Sequence, residues 1–247
     1  MKNLVALGLL AAFGSAQAVV LFNNGPVVDG SGLSILNNPP DTSLGITSST
    51  AAGSTLADNF TVTGPGWSVQ SLDFFAYQTG AVGFTFTNAT WSLRSGADVN
   101  AASILASGTT AVTSVGSAPV GFRVSPTTLT STARAIWRMN ADIPDIVLPA
   151  GNYFVTWALA GTVASGPFVP PVIGSVGSGN ALQSTTASAG VFNPVLMGAI
   201  APAVPTSPLD VPFIIQGSVV PEPSSIALML VGGVAVVVAA RRRRPAA

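Results

Sequence analysis

Apolar and polar residues alternate along much of the chain with the two-residue period of a β-strand. Residues 153–159 show it most clearly, with Tyr, Val, Trp and Leu at alternate positions and Phe, Thr and Ala between them. The apolar runs are short, and Gly, Pro, Asn and Asp separate them at close intervals. The pattern predicts an all-β fold, an antiparallel β-sandwich of jelly-roll type, over residues 19–217.

The same pattern places the individual strands. We predict strands or strand-turn segments at Val19–Phe22, Ala57–Val62, Trp67–Gln78, Gly83–Thr87, Thr90–Arg94, Ser103–Ser107, Ala111–Val115, Phe122–Val124, Ala133–Met139, Ile146–Asn152, Tyr153–Leu159 and Val211–Gly217. Ser71–Asp73 is expected to form a bend or bulge, and Thr90–Arg94 to pair with Phe74–Tyr77. Residues 161–207 are rich in small residues and are expected to form long loops with a few short strands.

The N-terminus has the composition of a secretory signal peptide. Lys2 precedes an apolar run from Leu4 to Phe13, and Ala16 and Ala18 supply the small residues of a cleavage site. We therefore expect residues 1–18 to be a signal peptide that is cleaved after Ala18.

A second apolar run lies near the C-terminus, within a segment that spans residues 218–247. Residues 226–240 carry no charge, and with two preceding serines the run covers 224–240. As a helix, its 15 core residues are roughly 22 Å long, short for a hydrocarbon layer of about 30 Å but extendable by the arginines that follow. We predict a single transmembrane helix at about 224–240. The basic tail, Arg241, Arg242, Arg243 and Arg244, is expected to stop transfer and to keep the C-terminus in the cytoplasm.

Pro221, Glu222 and Pro223 precede this run, and the order of motif, apolar span and arginine cluster resembles the PEP-CTERM sorting signal of Gram-negative bacteria. Catalogues also label such a segment an ice-binding protein C-terminal domain, which names the tail only. The resemblance implies an exosortase-type processing enzyme as partner. It also implies export across the inner membrane with transient anchoring, followed by a place at the cell surface or outside the cell.

The body is similar to one recurrent group of exported PEP-CTERM proteins. The shared segments are Ala57–Val62, Phe74–Gly80, Leu148–Tyr153, Gly179–Gln183 and Pro212–Gly217. This second resemblance implies fold and location, and it carries no activity.

Composition narrows the function further. Between Val19 and Val220 there are eight Asp and four Arg, a net charge of −4, with no basic stripe of the kind that nucleic acid requires. The chain contains no Cys and no His, which excludes disulfides, thiol nucleophiles, histidine-based triads and zinc sites built on those residues. We expect no enzymatic activity, no catalytic or metal-ligating residues and no cofactor.

Two further hypotheses concern calcium binding by aspartates and sugar binding by tryptophans. Asp142 and Asp145, together with Asp98 or a loop carbonyl, could hold calcium, although the lack of a DxDxDG pattern favours a solvated turn. The four tryptophans could stack sugars, but Trp91, Trp137 and Trp157 fit core positions, and only Trp67 is expected to be partly exposed.

Taken together, these features predict an exported, surface- or matrix-associated protein with a structural or adhesive role in the extracellular polysaccharide matrix. The alternative is a carbohydrate-binding module for exopolysaccharide.

Overall fold

The fold consists of short strands joined by turns. The computed structural model describes residues 18–36, 44–197 and 207–221, and these contain strands, one 3-10 turn and no α-helix. The strands are β1 (Val19–Asn23), β2 (Leu33–Ile35), β3 (Ile46–Thr47), β4 (Thr55–Val62), β5 (Trp67–Ala76), β6 (Phe86–Ser95), β7 (Ser103–Ser114), β8 (Gly121–Val124), β9 (Ala135–Leu148), β10 (Gly151–Gly161), β11 (Phe168–Val169), β12 (Leu182–Ser184), β13 (Asn193–Pro194), β14 (Leu196–Met197), β15 (Ser207–Pro208) and β16 (Phe213–Val219). The 3-10 turn is Thr186–Ser188.

One large sheet, curled into a half-barrel, contains most of these strands. Its order is β1-β16-β5-β9-β7-β6-β10-β4-β12-β13, and the pairs along this path are antiparallel. The short strand β8 also pairs with β9 and carries β2 in parallel beside it. The all-β, mostly antiparallel prediction is confirmed.

The expected sandwich of two separate sheets is not formed, because strand β7 pairs with β6 in one half of the large sheet and with β9 in the other half. Its first part pairs with β6 from Ser103 to Ala111, and its end pairs with β9 from Val112 to Ser114. The sheet therefore folds over on itself through one long strand of mostly small residues, and the two halves are not separate sheets.

The main core lies between the two halves. The Trp157 ring on β10 stacks on Phe74 of β5 with ring centroids 5.2 Å apart, and it also contacts Phe213 of β16 at 5.8 Å. Phe60 on β4 lies 6.5 Å from the same Phe213 ring. Because strands from opposite halves contribute rings to one cluster, burial of this apolar surface holds the curled sheet closed.

Several predicted strands are confirmed and others need correction. Strands β1, β4, β5, β8, β10 and β16 lie close to their predicted positions. The predicted strand Gly83–Thr87 is confirmed only at Phe86 and Thr87, because β6 starts at Phe86 and continues through Thr90–Arg94. The predicted pairing of Thr90–Arg94 with Phe74–Tyr77 is also wrong, since β6 pairs with β7 and β10. The two short strands expected in 103–115 form the single strand β7.

The turn expected at residues 142–145 is part of strand β9. Asp142 pairs with Ser71 and Ile146 pairs with Val69, so the three residues between them on β9 face only Gln70 on β5. This is a bulge, and it accommodates Pro144, which has no N–H to donate to a regular ladder. The bulge expected at Ser71–Asp73 thus lies just before that segment.

The predicted membrane segments fall outside the described residues. The signal peptide reaches them only at Ala18, which is exposed, and the span at 224–240 lies wholly beyond them. Within the described ranges, no helix has the length and apolar character needed to cross a bilayer.

Candidate functional site

The last strand, β16, leads directly to the predicted sorting motif. It lies between β1 and β5 rather than at a sheet edge, and Phe213 and Ile215 are fully buried. Beyond it, the Val220 N–H donates to the carbonyl oxygen of Gly66 at 3.0 Å. The chain therefore remains hydrogen-bonded to the domain up to Val220, one residue before Pro221. Pro221 is exposed and is the last described residue.

Gly66 shapes the turn that receives this strand end. Its φ is +111°, and a Cβ at this position would lie 2.7 Å from the carbonyl oxygen of Leu148. Both the backbone conformation and the close approach require glycine. The Gly64-Pro65-Gly66 sequence is thus what allows the Val220 contact.

The first strand begins at the same end of the domain. Val19 follows the predicted cleavage position Ala18, and on β1 it pairs with Gly217 of the antiparallel β16. Adjacent strands lie about 4.8 Å apart. The predicted signal-peptide cleavage position, after Ala18, and the start of the predicted sorting motif, Pro221, are therefore close neighbours at one end of the sheet.

Comparison with known families identifies this C-terminal segment. Residues 219–244 match a family model described as the PEP-CTERM protein-sorting motif. The chain carries a PEP-CTERM sorting signal. The match includes Pro221, Glu222, Pro223 and the arginines 241–244, and it starts at the last residue of β16. It supports an exported protein that an exosortase-type enzyme sorts. No curated protein matches the chain.

Upstream of the PEP-CTERM segment, the carboxylate of Asp58 joins three parts of the chain. Asp58 lies on β4 and is almost fully buried. Its Oδ2 accepts from Asn24 Nδ2 at 2.9 Å and from the Val211 N–H at 3.1 Å, and its Oδ1 accepts from the Asn59 N–H at 2.8 Å. Asn24 follows β1 and Val211 precedes β16, so this carboxylate connects the ends of both terminal strands to β4.

Burial raises the pKa of Asp58 to about 7, and the nearby Asp210 charge acts in the same direction, while the Val211, Asn59 and Asn24 donors oppose the rise. The folded state therefore binds this proton more tightly than the unfolded state does. The resulting stability is fully present below about pH 4 and is lost as the pH rises through about 7.

We expect the free energy of unfolding to fall between pH 4 and pH 7 by up to about 4 kcal/mol, since one pKa unit corresponds to about 1.4 kcal/mol. Urea unfolding across this range measures the change. Asp58→Asn, which cannot ionise, should remove this part of the pH dependence, whereas Asn at the exposed Asp29 should leave it. An unchanged pH profile in Asp58→Asn would rule out Asp58 as its source.

A second buried carboxylate, Asp73, ties β5 to both neighbouring strands. Its side chain is fully buried and forms an ion pair with Arg138 on β9, whose Nε donates to Oδ2 at 2.8 Å. Asn140 Nδ2 donates to Oδ1 at 2.6 Å, and Gln216 Nε2 of β16 donates to Oδ2 at 2.8 Å. All of these partners are hydrogen-bond donors, so both oxygens of the ionised carboxylate are engaged in contacts that hold neighbouring strands together.

The structure does not bring the acids of the calcium hypothesis into a site. Asp142 and Asp145 are exposed along β9, and Asp145 accepts a hydrogen bond from Gln70. Asp98 lies in the loop between β6 and β7, where it accepts from the Asn100 N–H. No group of three or more acids that could hold a metal occurs among the residues described.

All four tryptophans are buried, so the expected exposure of Trp67 is wrong. Trp67 is 7% exposed because its ring stacks on Phe60 at 6.1 Å with an interplanar angle of 9°. Trp91, Trp137 and Trp157 are buried as predicted. The sugar-stacking platform on tryptophan is therefore not present on this surface.

Two depressions on the described surface show how their polar side chains are engaged. One of about 170 Å³ contains Asp29 and Arg123. The Asp29 carboxylate accepts from the backbone of Ser31 and Leu33, and Arg123 donates to Leu44 and Ser34. Another, of about 430 Å³, is lined by Gly45–Thr47, Gln183 and Pro194–Leu196, with no ionisable side chain.

Sequence reasoning missed the roles of Asp58 and Asp73, although a signal was present. Each is an acidic residue within an apolar strand pattern, Asp58 after Leu56-Ala57 and Asp73 between Leu72 and Phe74. A charged residue within such a run is buried only when it is paired or hydrogen-bonded. The sequence could therefore have predicted two satisfied carboxylates, but not their partners.

Proposed function

We propose that this chain is an exported, non-enzymatic β-domain that is anchored briefly in the inner membrane by residues 224–240 and then released to the cell surface or the extracellular matrix. The exosortase-type enzyme recognises Pro221-Glu222-Pro223 and acts on the tail. Until then, the arginines 241–244 remain in the cytoplasm and the β-domain remains outside the inner membrane.

One observation carries this proposal: the PEP-CTERM match begins at the last residue of a strand that is held between two others. The exposed Pro221 follows after one further residue, so the motif adjoins the folded body without a long linker. An anchored precursor would present its motif where the body meets the membrane, and processing there would release the whole body.

For the released body we propose a structural or adhesive role in the polysaccharide matrix. The burial of all four tryptophans favours this role over that of a carbohydrate-binding module with a stacking platform. Non-enzymatic action fits the lack of Cys and His in the sequence and the use of both buried aspartates in hydrogen bonds to neighbouring strands. The mildly acidic body gives nucleic acid no basic surface.

Replacing Glu222 tests the sorting role. Glu222→Gln keeps the size of the side chain and removes its charge, so an enzyme that reads the acidic residue should fail on it. We expect the variant to stay in the inner-membrane fraction with its arginines attached, while the wild-type protein reaches the surface or the medium. Cell fractionation with an antibody against the β-domain measures the distribution.

Ser224→Ala serves as the matched control, because it changes a residue just outside the motif and keeps every charge. It should be released like the wild-type protein. Release of Glu222→Gln at the wild-type level would refute recognition through this glutamate.

A further inference from the structure

Exposed apolar side chains gather at the end of the domain from which the PEP-CTERM segment leaves. Six large apolar residues between 48% and 65% exposed belong to strand segments at this end: Val19, Val20, Ile104, Leu105, Val147 and Val219. We call this set the exit rim. Single exposed apolar residues are normal on a protein surface, whereas a group of them marks an interaction site.

The strand pairing shows why these residues share one end. Val219 pairs with Trp67, which in turn pairs with Leu148, the residue after Val147. Val19 pairs with Gly217, two residues before Val219. The rim thus includes the start of β1 and the ends of β9 and β16.

The remaining rim residues, Ile104 and Leu105, lie at the start of β7. Ser103 pairs with Ser95, which pairs with Tyr153 near the start of β10. β10 itself follows β9 after the two residues Pro149 and Ala150. The starts of β7 and β10 are therefore at the same end as Leu148.

The chain beyond Val219 indicates what covers this rim. Only six residues lie between Val219 and Ile226, where the uncharged apolar run begins. The seven steps from one Cα to the next span at most about 25 Å when the chain is fully extended. The polar headgroup layer occupies several ångströms of that distance on each side of the hydrocarbon. A tail inserted in a bilayer therefore keeps the exit rim within about 20 Å of the lipid surface.

The charges at this end favour apolar contact over electrostatic attraction. The acids Asp98 and Asp145 and the base Arg94 lie on the strands and loops that carry the rim. The described residues contain no Lys. Binding driven by anionic lipid would require a cluster of Lys or Arg, so a neutral lipid surface fits this end better.

We propose that, while the tail is anchored, the exit rim lies in the interfacial layer of the bilayer and fixes the orientation of the β-domain. This contact holds Pro221-Glu222-Pro223 at the membrane surface, within reach of a membrane-embedded processing enzyme. The proposal rests on the proposed function, since it requires an inserted tail.

The absence of Cys from the sequence makes a direct test possible, because each introduced Cys is a unique labelling position. The full chain is reconstituted in phosphatidylcholine vesicles that carry nitroxide-quencher lipids, with a fluorophore on Val147→Cys or Leu105→Cys. The matched control is Val82→Cys, which is 96% exposed in the connection between β5 and β6 at the opposite end. We expect quenching several-fold greater at 147 and 105 than at 82. Equal quenching at all three positions would overturn the proposal.

Two further measurements separate rim contact from simple tethering and from failure of the anchor. Adding Val20→Asp and Val219→Asp should reduce quenching at 147 to the level of the control at 82. Unchanged quenching would mean that the tether alone brings this end near lipid, which also overturns the proposal. A label at Val236→Cys, inside the predicted span, should be strongly quenched in every variant. If it is not quenched, the anchored tail of the proposed function fails. If it is quenched while 147 is not, only the rim contact fails.

Discussion

Replacing Trp157 by Ala is expected to lower the free energy of unfolding by about 3–5 kcal/mol. The indole is fully buried between the two halves of the sheet, in contact with Phe74 and Phe213. Its removal leaves a cavity at the point where the halves meet. Since domains are stable by about 5–15 kcal/mol, this single change should remove a large share of the free energy of unfolding. The midpoint of urea unfolding measures the effect.

Trp157→Phe provides the informative comparison. The Trp157 Nε1 has no hydrogen-bond partner among the described residues. Phe therefore keeps an aromatic ring and removes an unsatisfied polar group, so it should lose much less stability than Ala. Val82→Ala, at an exposed position, should change stability by less than about 0.5 kcal/mol. Equal losses for Trp157→Ala and Val82→Ala would contradict the placement of Trp157 in the core.

Replacing Asp73 by Ala is expected to lower the free energy of unfolding by about 3 kcal/mol, because removing one partner of a buried ion pair leaves the other groups uncompensated. Arg138, Asn140 and Gln216 would each lose their acceptor. Gln216 belongs to β16, so the strand that leads into the PEP-CTERM segment should open more often. Hydrogen exchange of the β16 amides, alongside urea unfolding, measures both effects.

Asp142→Ala is the matched control for this prediction. Asp142 also lies in the paired region of β5 and β9, but its side chain is exposed, so its loss should cost little. In a double-mutant cycle, Asp73→Ala with Arg138→Ala should lose less stability than the sum of the single changes. Additive losses, or an Asp73→Ala variant as stable as Asp142→Ala, would show that the ion pair does not act as described.

The fold class could be predicted because the apolar alternation is strong where one strand face is buried. Residues 153–159 show it, and β10 lies there with Tyr153, Val155, Trp157 and Leu159 all in the main core. The pattern could not give the partner of each strand, since pairing depends on contacts that are distant in the sequence. Strand β6 accordingly pairs with β7 and β10 rather than with the end of β5.

Local signals failed where tertiary packing outweighed them. Residues 142–145 resemble a turn because Asp and Pro favour turns, yet the bulge opposite Gln70 keeps them in β9. Trp67 follows a Gly-Pro-Gly turn, which suggested exposure, but the ring turns inward onto Phe60. In both places the neighbouring strand, and not the local sequence, decides the outcome.

One part of the candidate site could also be predicted from the sequence, and another part could not. The PEP-CTERM segment could be recognised from the sequence, because its motif, apolar run and arginines are contiguous and need no fold to be seen, and the family model matches residues 219–244. Its position next to Val19 could not be predicted, because that requires the pairing of the first strand with the last. The exit rim depends on the same pairing.

The intact mass of the protein recovered from the cell surface or the medium tests the sorting role most directly. Processing of both ends predicts a chain that begins at Val19 and lacks Arg241, Arg242, Arg243 and Arg244, whereas the Glu222→Gln protein in the membrane fraction should retain all four. A released wild-type protein that still carries the arginines would contradict the role of the tail as a processed sorting signal.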